Sequence, residues 1–253
     1  MQKQFEKFYE NIKPTSSQRE DARKKYDGVC SKLHSFYYPD TSYNGETRFL
    51  IGSYGKKTHT RPARDVDVIF CMPEEKFNQY NDDQSNGQSQ LLQDIKKILE
   101  EKYPNTPIKA FGKVVVIEFS APQHNIELLP GWENDNGTFT IPNSESGGSW
   151  DTCDPRKEIQ NIKESDEKTG KTKALIRMIK KWSEQCSAKI KSYEIENKVL
   201  YFFADKENYD KYSSLIKDFF EFFRNNATDK NLMSHLGTAF NIAKQACDFE
   251  ENG

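Results

Sequence analysis

At 253 residues the chain is long enough for one large domain or a two-lobed one with a substantial core. Its 37 Lys and Arg nearly balance 39 Asp and Glu, so the net charge of −2 advertises neither a nucleic-acid nor a membrane partner in bulk. No apolar run approaches the ~20 residues of a membrane span.

Apolar residues make up only 35% and mean hydropathy is −0.90, yet 17 Phe and 12 Tyr are too many for a disordered chain. The polar start "MQKQFEK" is not a signal peptide. Five cysteines (Cys30, Cys71, Cys153, Cys186, Cys247) are scattered, odd in number and form no CxxC pair. That argues against a zinc site and for reduced thiols in a cytoplasmic chain.

In chain order, "FEKFYENIKP" and "TSSQREDARKKYDGVCSKLHSFYYPD" predict two helices broken at Pro14. Thr15 and Gln18 have capping-box spacing, and Ala22, Tyr26, Val29, Leu33 and Phe36 recur at helical intervals. After a turn-rich stretch from Asp40 to Glu46, "RFLIGS" and "RDVDVIFCM" read as short strands. The polar loop "NQYNDDQSNGQSQ" leads into a helix carrying Leu91, Leu92, Ile95, Ile98 and Leu99. "GKVVVIEFSAPQHNIELLPGW" predicts two adjacent strands joined by a tight Pro-containing turn, and Asn136-Gly137 marks a hairpin. From Asp154 onward helical patterns dominate to the last residues, an expectation that the natural protein extends further. There is no internal repeat.

Two aspartates one residue apart sit on an otherwise apolar segment. In a strand Asp65 and Asp67 point the same way while Val66 and Val68 face the core, and their Cα atoms lie roughly 6.6 Å apart. Unpaired, two such charges raise each other's pKa; a divalent cation relieves the repulsion. D-x-D alone also fits an edge strand with a solvated polar face. A third carboxylate shifts the balance. Glu127, between Ile126 and Leu128 in another strand-like run, is the preferred candidate, with Glu118 in "VVVIEF" competing. Twelve positions before Asp65, Gly52-Ser53 offers close backbone approach and a hydroxyl to a phosphate.

"KTGKT" around Gly170 is not a P-loop, because Ser165 stands where the motif needs Gly and no apolar strand precedes it. The following helix, "KTKALIRMIKKWSEQC", carries an apolar stripe of Leu175, Met178, Ile179 and Trp182. Lys173, Arg177 and Lys180 fall on the opposite face: a solvated basic face, or a clamp on a triphosphate.

"GSYGKKT", "RDVDVIF", "IELLPGW", "TKALIRMIKKW" and "KSYEIENKVLYFF", in this order over roughly residues 47–203, together resemble the polymerase-β-like nucleotidyltransferase superfamily. The set is most similar to the branch of 2′-5′ oligoadenylate synthetases, cyclic GMP-AMP synthase and the bacterial CD-NTases of anti-phage defence. The resemblance implies an α/β fold: a mixed sheet with flanking helices as the nucleotidyltransferase core (38–153), plus a helical lobe (1–37 and 154–253), with the active site in the cleft between them. It implies Asp65, Asp67 and Glu127 as catalytic residues and ligands of two Mg²⁺ ions, Mn²⁺ being the substitute. Gly52 and Ser53 would hold the β- and γ-phosphates, Arg177 and Lys180 would reach the triphosphate, and Tyr193 would pack against the donor base, a core tyrosine being the alternative there.

Two departures stand out. The family's third carboxylate is usually Asp, whereas Glu127 is one methylene longer. The vertebrate sensor's zinc-thumb cysteines are missing, which argues against double-stranded DNA sensing of that kind.

The expected activity is condensation of NTPs, ATP among them, into a cyclic oligonucleotide messenger that reaches a downstream effector. Linear oligoadenylate synthesis, nucleotide transfer to an RNA or protein acceptor, and a catalytically inactive nucleotide sensor are the alternatives. Base preference, linkage and oligomeric state are not written in these motifs.

Overall fold

The computed structural model describes residues 2–62, 65–83, 85–120, 124–206 and 209–252, with the side chains of 251 and 252 left aside. Helix α1 (Gln2–Ile12) stops ahead of Pro14, and α2 (Ser16–Tyr37) starts with Thr15 and Gln18 capping each other's backbone N–H groups. Next come β1 (Arg48–Leu50), the single turn α3 (Gly52–Gly55), β2 (Val66–Cys71), α4 (Phe77–Asn81) and α5 (Gly87–Lys102). Strands β3 (Ile108–Phe111), β4 (Val114–Ile117), β5 (Ile126–Glu133), β6 (Phe139–Asn143) and β7 (Ser149–Cys153) complete the sheet. Helices α6 (Pro155–Thr169), α7 (Thr172–Gln185), α8 (Ser192–Phe202), α9 (Tyr212–Asn225) and α10 (Lys230–Asn252) follow.

The chain divides into two compact units, one of residues 14–57 with 62–159, the other of residues 1–13 with 58–61 and 160–253. In the first, the strand order is β1-β2-β5-β4-β3, with β6 and β7 extending from β5. β2 and β5 run parallel and every other pair is antiparallel, so the sheet is mixed, as expected. A parallel pair needs a crossover, and the chain from α4 through β4 supplies it. Val66, Val68, Phe70, Ile126 and Leu128 face a core closed by Val29 and Leu33 of α2 and by Leu91, Ile95 and Leu99 of α5.

Three expectations change. Helix α2 belongs with the sheet, not with the helical lobe, because its apolar stripe is buried in the sheet's core. Strands β3 and β7 were not predicted; "IKAF" and "SWDTC" are short and half exposed, so neither shows a clear apolar pattern. Asp65 lies just ahead of β2 rather than inside it. The adjacency of β4 and β5 and the turn at Gly137 (φ 79°) agree with the sequence reading, while the turn expected around Pro122 falls partly outside the described residues.

The second unit is helical around an aromatic core: Phe219 packs edge-on to Phe202 and Phe223, and Trp182 lies against Phe220 at 4.9 Å. Leu175, Met178 and Ile179 are buried as the α7 stripe predicts. The opposite face is not a solvated basic one. Lys173 pairs with Asp166, and Arg177 and Lys180 are buried among polar partners.

Candidate active site

The parallel register of β2 and β5 sets Asp67 directly opposite Glu127. Their flanking residues Val66, Val68, Ile126 and Leu128 are fully buried, so strand alternation turns both carboxylates to the other face of the sheet. Asp65, exposed and just before the strand, adds its charge to both.

Above this pair sits α3. The Ile51 N–H donates to the Asp67 carbonyl at 3.1 Å, which holds the turn against β2. Gly52 has φ +56°, and a Cβ there would lie 2.0 Å from Asp67 Oδ2. A Cβ on Gly55 would lie 2.3 Å from the Leu50 carbonyl oxygen. The two glycines of "GSYG" thus serve one purpose, the close seating of this turn on β1 and the Asp67 carboxylate.

Electrostatically the pair is costly without a cation. Burial raises the Asp67 pKa above the usual carboxylate range, and Asp65 adds to this; hydrogen bonding with Glu127 and the positive charge of Lys56 act against it. Burial lifts Glu127 to about 7, with the charges of Asp67 and Asp65 next in importance. Lys56, which donates to Glu158 at 2.9 Å, is a contributor the sequence reading passed over although it lies inside "GSYGKKT". Among the described residues no three carboxylate, imidazole or thiol groups are drawn close enough to enclose an ion. Asp67 and Glu127 form a pair, with Asp65 as a third charge at its edge. Oxygen donors only, clustered against their own repulsion and partly desolvated, are the donor set that suits a hard divalent cation.

Glu118 is placed otherwise. It lies beyond β4, ion-paired to Lys109 at 2.5 Å, and is not among the charges acting on Asp67. Behind the site, His124 Nδ1 meets Asp21 Oδ2 at 2.7 Å, and the Tyr54 ring of α3 meets the imidazole edge-on at 5.8 Å. The sequence held no signal for that contact, because the partners lie 103 residues apart.

The other site residues lie in the helical unit. Arg177 donates from Nε to the His59 carbonyl at 3.0 Å and from Nη1 to the Tyr9 hydroxyl at 2.9 Å. Lys180 donates to Glu196 Oε1 at 2.7 Å and to Thr58 Oγ1 at 3.1 Å. Tyr193, in the first turn of α8, is 54% exposed and so is not a core tyrosine; Lys191 lies 5.9 Å from its ring centroid.

Residues 1–166 match the family described as the Second Messenger Oligonucleotide or Dinucleotide Synthetase domain, SMODS. The chain belongs to this family. It is a CD-NTase of the bacterial group and hence a nucleotidyltransferase, as the ordered motifs implied. The SMODS enzymes are metal-dependent. A "probable cyclic nucleotide synthase" of Bacillus cereus (strain VD146) is 26% identical over 255 residues, covering 87% of this chain and 76% of its own length. The "CBASS oligonucleotide cyclase CdnC" of Escherichia coli (strain KTE188) is 26% identical over 154 residues, 57% of this chain and 47% of that protein. Of solved structures, E. coli MS115-1 CdnC with ATP has a TM-score of 0.67 at 16% identity, covering 98% of this chain and 90% of the other. The Vibrio cholerae di-nucleotide cyclase DncV mutant reaches 0.72 at 11% identity, covering 93% and 87%. These likenesses bear out the mixed-sheet nucleotidyltransferase fold. No helix among the described residues is long and apolar enough to cross a membrane.

Proposed function

We propose that this SMODS domain condenses nucleoside triphosphates, ATP among them, into a cyclic oligonucleotide with release of pyrophosphate. The single observation that carries the reading is the placement of Asp67 opposite Glu127 on parallel strands, with Gly52 seated on the Asp67 carboxylate. Asp65, Asp67 and Glu127 would hold Mg²⁺, two ions by the family resemblance, with Mn²⁺ as a substitute. When bound, the metal supplies charge neutralisation and Lewis acidity at the reacting phosphate.

The rest falls to the chain. An attacking ribose hydroxyl is deprotonated beside the Glu127 carboxylate. The oxygen so freed attacks the α-phosphorus of a donor nucleotide and pyrophosphate leaves. The Gly52 backbone and the Ser53 hydroxyl hold the β- and γ-phosphates. Arg177 and Lys180 give hydrogen bonds to the triphosphate in exchange for some of those they now make, and the exposed Tyr193 ring stacks on the donor base. Catalysis on this reading is mostly positioning and electrostatic stabilisation.

The CBASS name of the E. coli relatives supports a role in anti-phage signalling, with a cytoplasmic enzyme whose product acts on a separate effector. The test is incubation of the purified chain with the four labelled NTPs and Mg²⁺, followed by phosphatase and mass spectrometry. A phosphatase-resistant cyclic product is expected. Linear oligonucleotides, label on a macromolecule, or nucleotide binding without turnover would each replace the reading with one of its rivals.

A further inference from the structure

The core behind the acidic pair holds an imidazole. His124 is 1% exposed, and its Nδ1 meets Asp21 Oδ2 of α2 at 2.7 Å. A carboxylate oxygen accepts, so the imidazole is the donor there. The same Oδ2 takes the Lys25 ammonium at 3.0 Å. The other ring nitrogen, Nε2, is buried and has no hydrogen-bond partner among the described residues. A buried polar atom left unpaired is a cost, one that an apolar side chain at 124 would not carry. What histidine gains lies in what the Asp21 bond fixes.

Three elements of the site meet this ring or the residue beside it. Tyr54, two positions after Gly52 in α3, stands edge-on to the imidazole with centroids 5.8 Å apart. The next residue, Asn125, accepts the Val66 N–H at 2.9 Å, and from there the parallel register pairs Val66 with Ile126 and Asp67 with Glu127. The anchor thus sits one residue before the first rung of the β2–β5 ladder. A slip of one residue in a strand turns every side chain to the other face, which would carry Glu127 into the core. The Asp21–His124 bond ties the start of that ladder to the 22-residue helix α2. Asp21, Tyr54, Val66, Asp67, His124 and Glu127 all belong to one compact unit.

We infer that His124 is a positioning residue: anchored to Asp21, it holds the entry of β5 and the α3 turn, and so fixes Glu127 opposite Asp67 beneath Gly52. Its consequence for turnover rests on the nucleotidyltransferase reading. The imidazole touches no reacting group; it acts through the first rung of the β2–β5 ladder and through Tyr54. Loosening that rung keeps every carboxylate but lets the pair drift, and misplacements of about 1 Å are costly in rate.

The test compares His124→Leu, which keeps much of the volume and removes the donor, with His124→Asn, whose amide donates from near the Nδ1 position. Leu99→Ala is the control, a destabilising change on the buried face of α5. Two quantities are measured well below each melting midpoint. One is turnover of NTPs with Mg²⁺ at saturating nucleotide; the other is amide hydrogen exchange, read by NMR on the protein without nucleotide or metal. The Val66 N–H, bonded to Asn125, and the Met72 N–H, bonded to the Gly131 carbonyl at 2.9 Å, report the two ends of the same strand pair. H124L should lose roughly ten- to a hundredfold in turnover, and its Val66 amide should exchange at least about tenfold faster relative to Met72. H124N should stay within about fivefold of the parent in both. L99A should speed both amides together and keep its turnover. If leucine at 124 prevents folding, Asp21→Ala, which removes the acceptor, is read the same way. Parental turnover in folded H124L, an exchange ratio unchanged from the parent, or an equal loss of turnover in L99A overturns the inference. A fully active D67N overturns instead the nucleotidyltransferase reading beneath it, whatever the exchange ratio.

Discussion

Asp67 and Glu127 face each other across the parallel β2–β5 pair; burial raises both pKa values, with the charge of Asp65 adding to Asp67 and the charges of Asp67 and Asp65 adding to Glu127. Two carboxylates that resist ionising together are a store of unfavourable energy that a divalent cation relieves. The parallel register creates the pair, and the close seating of Gly52 leaves no room for it to drift.

Gly52→Ala puts that seating to the test. A Cβ at 2.0 Å from Asp67 Oδ2 must displace either α3 or the carboxylate, and φ +56° is strained for alanine as well. Turnover should fall at least ~100-fold, with a stability loss of about 1–3 kcal/mol, read by product formation and thermal melting.

The pH dependence follows from Glu127. Its folded-state pKa, about 7, is raised above the ordinary 4.5, so the folded protein holds a proton that the unfolded chain has released. In the metal-free protein this contribution is full below pH 4.5 and is lost as pH rises through about 7. Asp67, shifted in the same direction, adds to it. Melting midpoints measured across that window should fall with rising pH, and Glu127→Gln should flatten the fall.

Asp21 has the opposite sign. Burial works to raise it, but hydrogen bonds from His124 and Lys25 prevail and hold it below 3.8. Its contribution is present above that value and lost as pH falls through the lower folded-state pKa. Asp21→Asn weakens the hydrogen bond to a nearly fully buried imidazole three residues before Glu127. It should cost about 1–3 kcal/mol at neutral pH, measured by chemical denaturation.

Glu118→Gln separates the two glutamates considered from the sequence. Glu118 and Lys109 are an exposed pair, worth about 0–1 kcal/mol at most. The variant should keep its melting point and turnover, in contrast to Glu127→Gln.

What was legible in the sequence was local. The Thr15–Gln18 capping box, the Asn136-Gly137 turn and the alternation around Asp67 each carry their signal within a few residues, and each is found in place. The choice of Glu127 over Glu118 rests on a strand register, which a single strand's pattern does not contain. The apolar stripe of α2 says that the helix is buried but not against what, so its place in the sheet's core is not legible from it. Arg177 and Lys180 read as one face of an amphipathic helix, whose solvation depends on residues 58–61, more than a hundred positions earlier. Thr58 and Glu196 have no motif of their own; they emerge only as the buried hydrogen-bond partners of Lys180.

The most direct test of the account is pyrophosphate release from NTPs by the parent chain, Asp67→Asn and Glu127→Gln, with and without Mg²⁺, alongside thermal melting of each. The parent should release pyrophosphate only with the divalent cation, while both variants melt cooperatively and release none. Pyrophosphate formed at the parental rate by either folded variant would contradict the account.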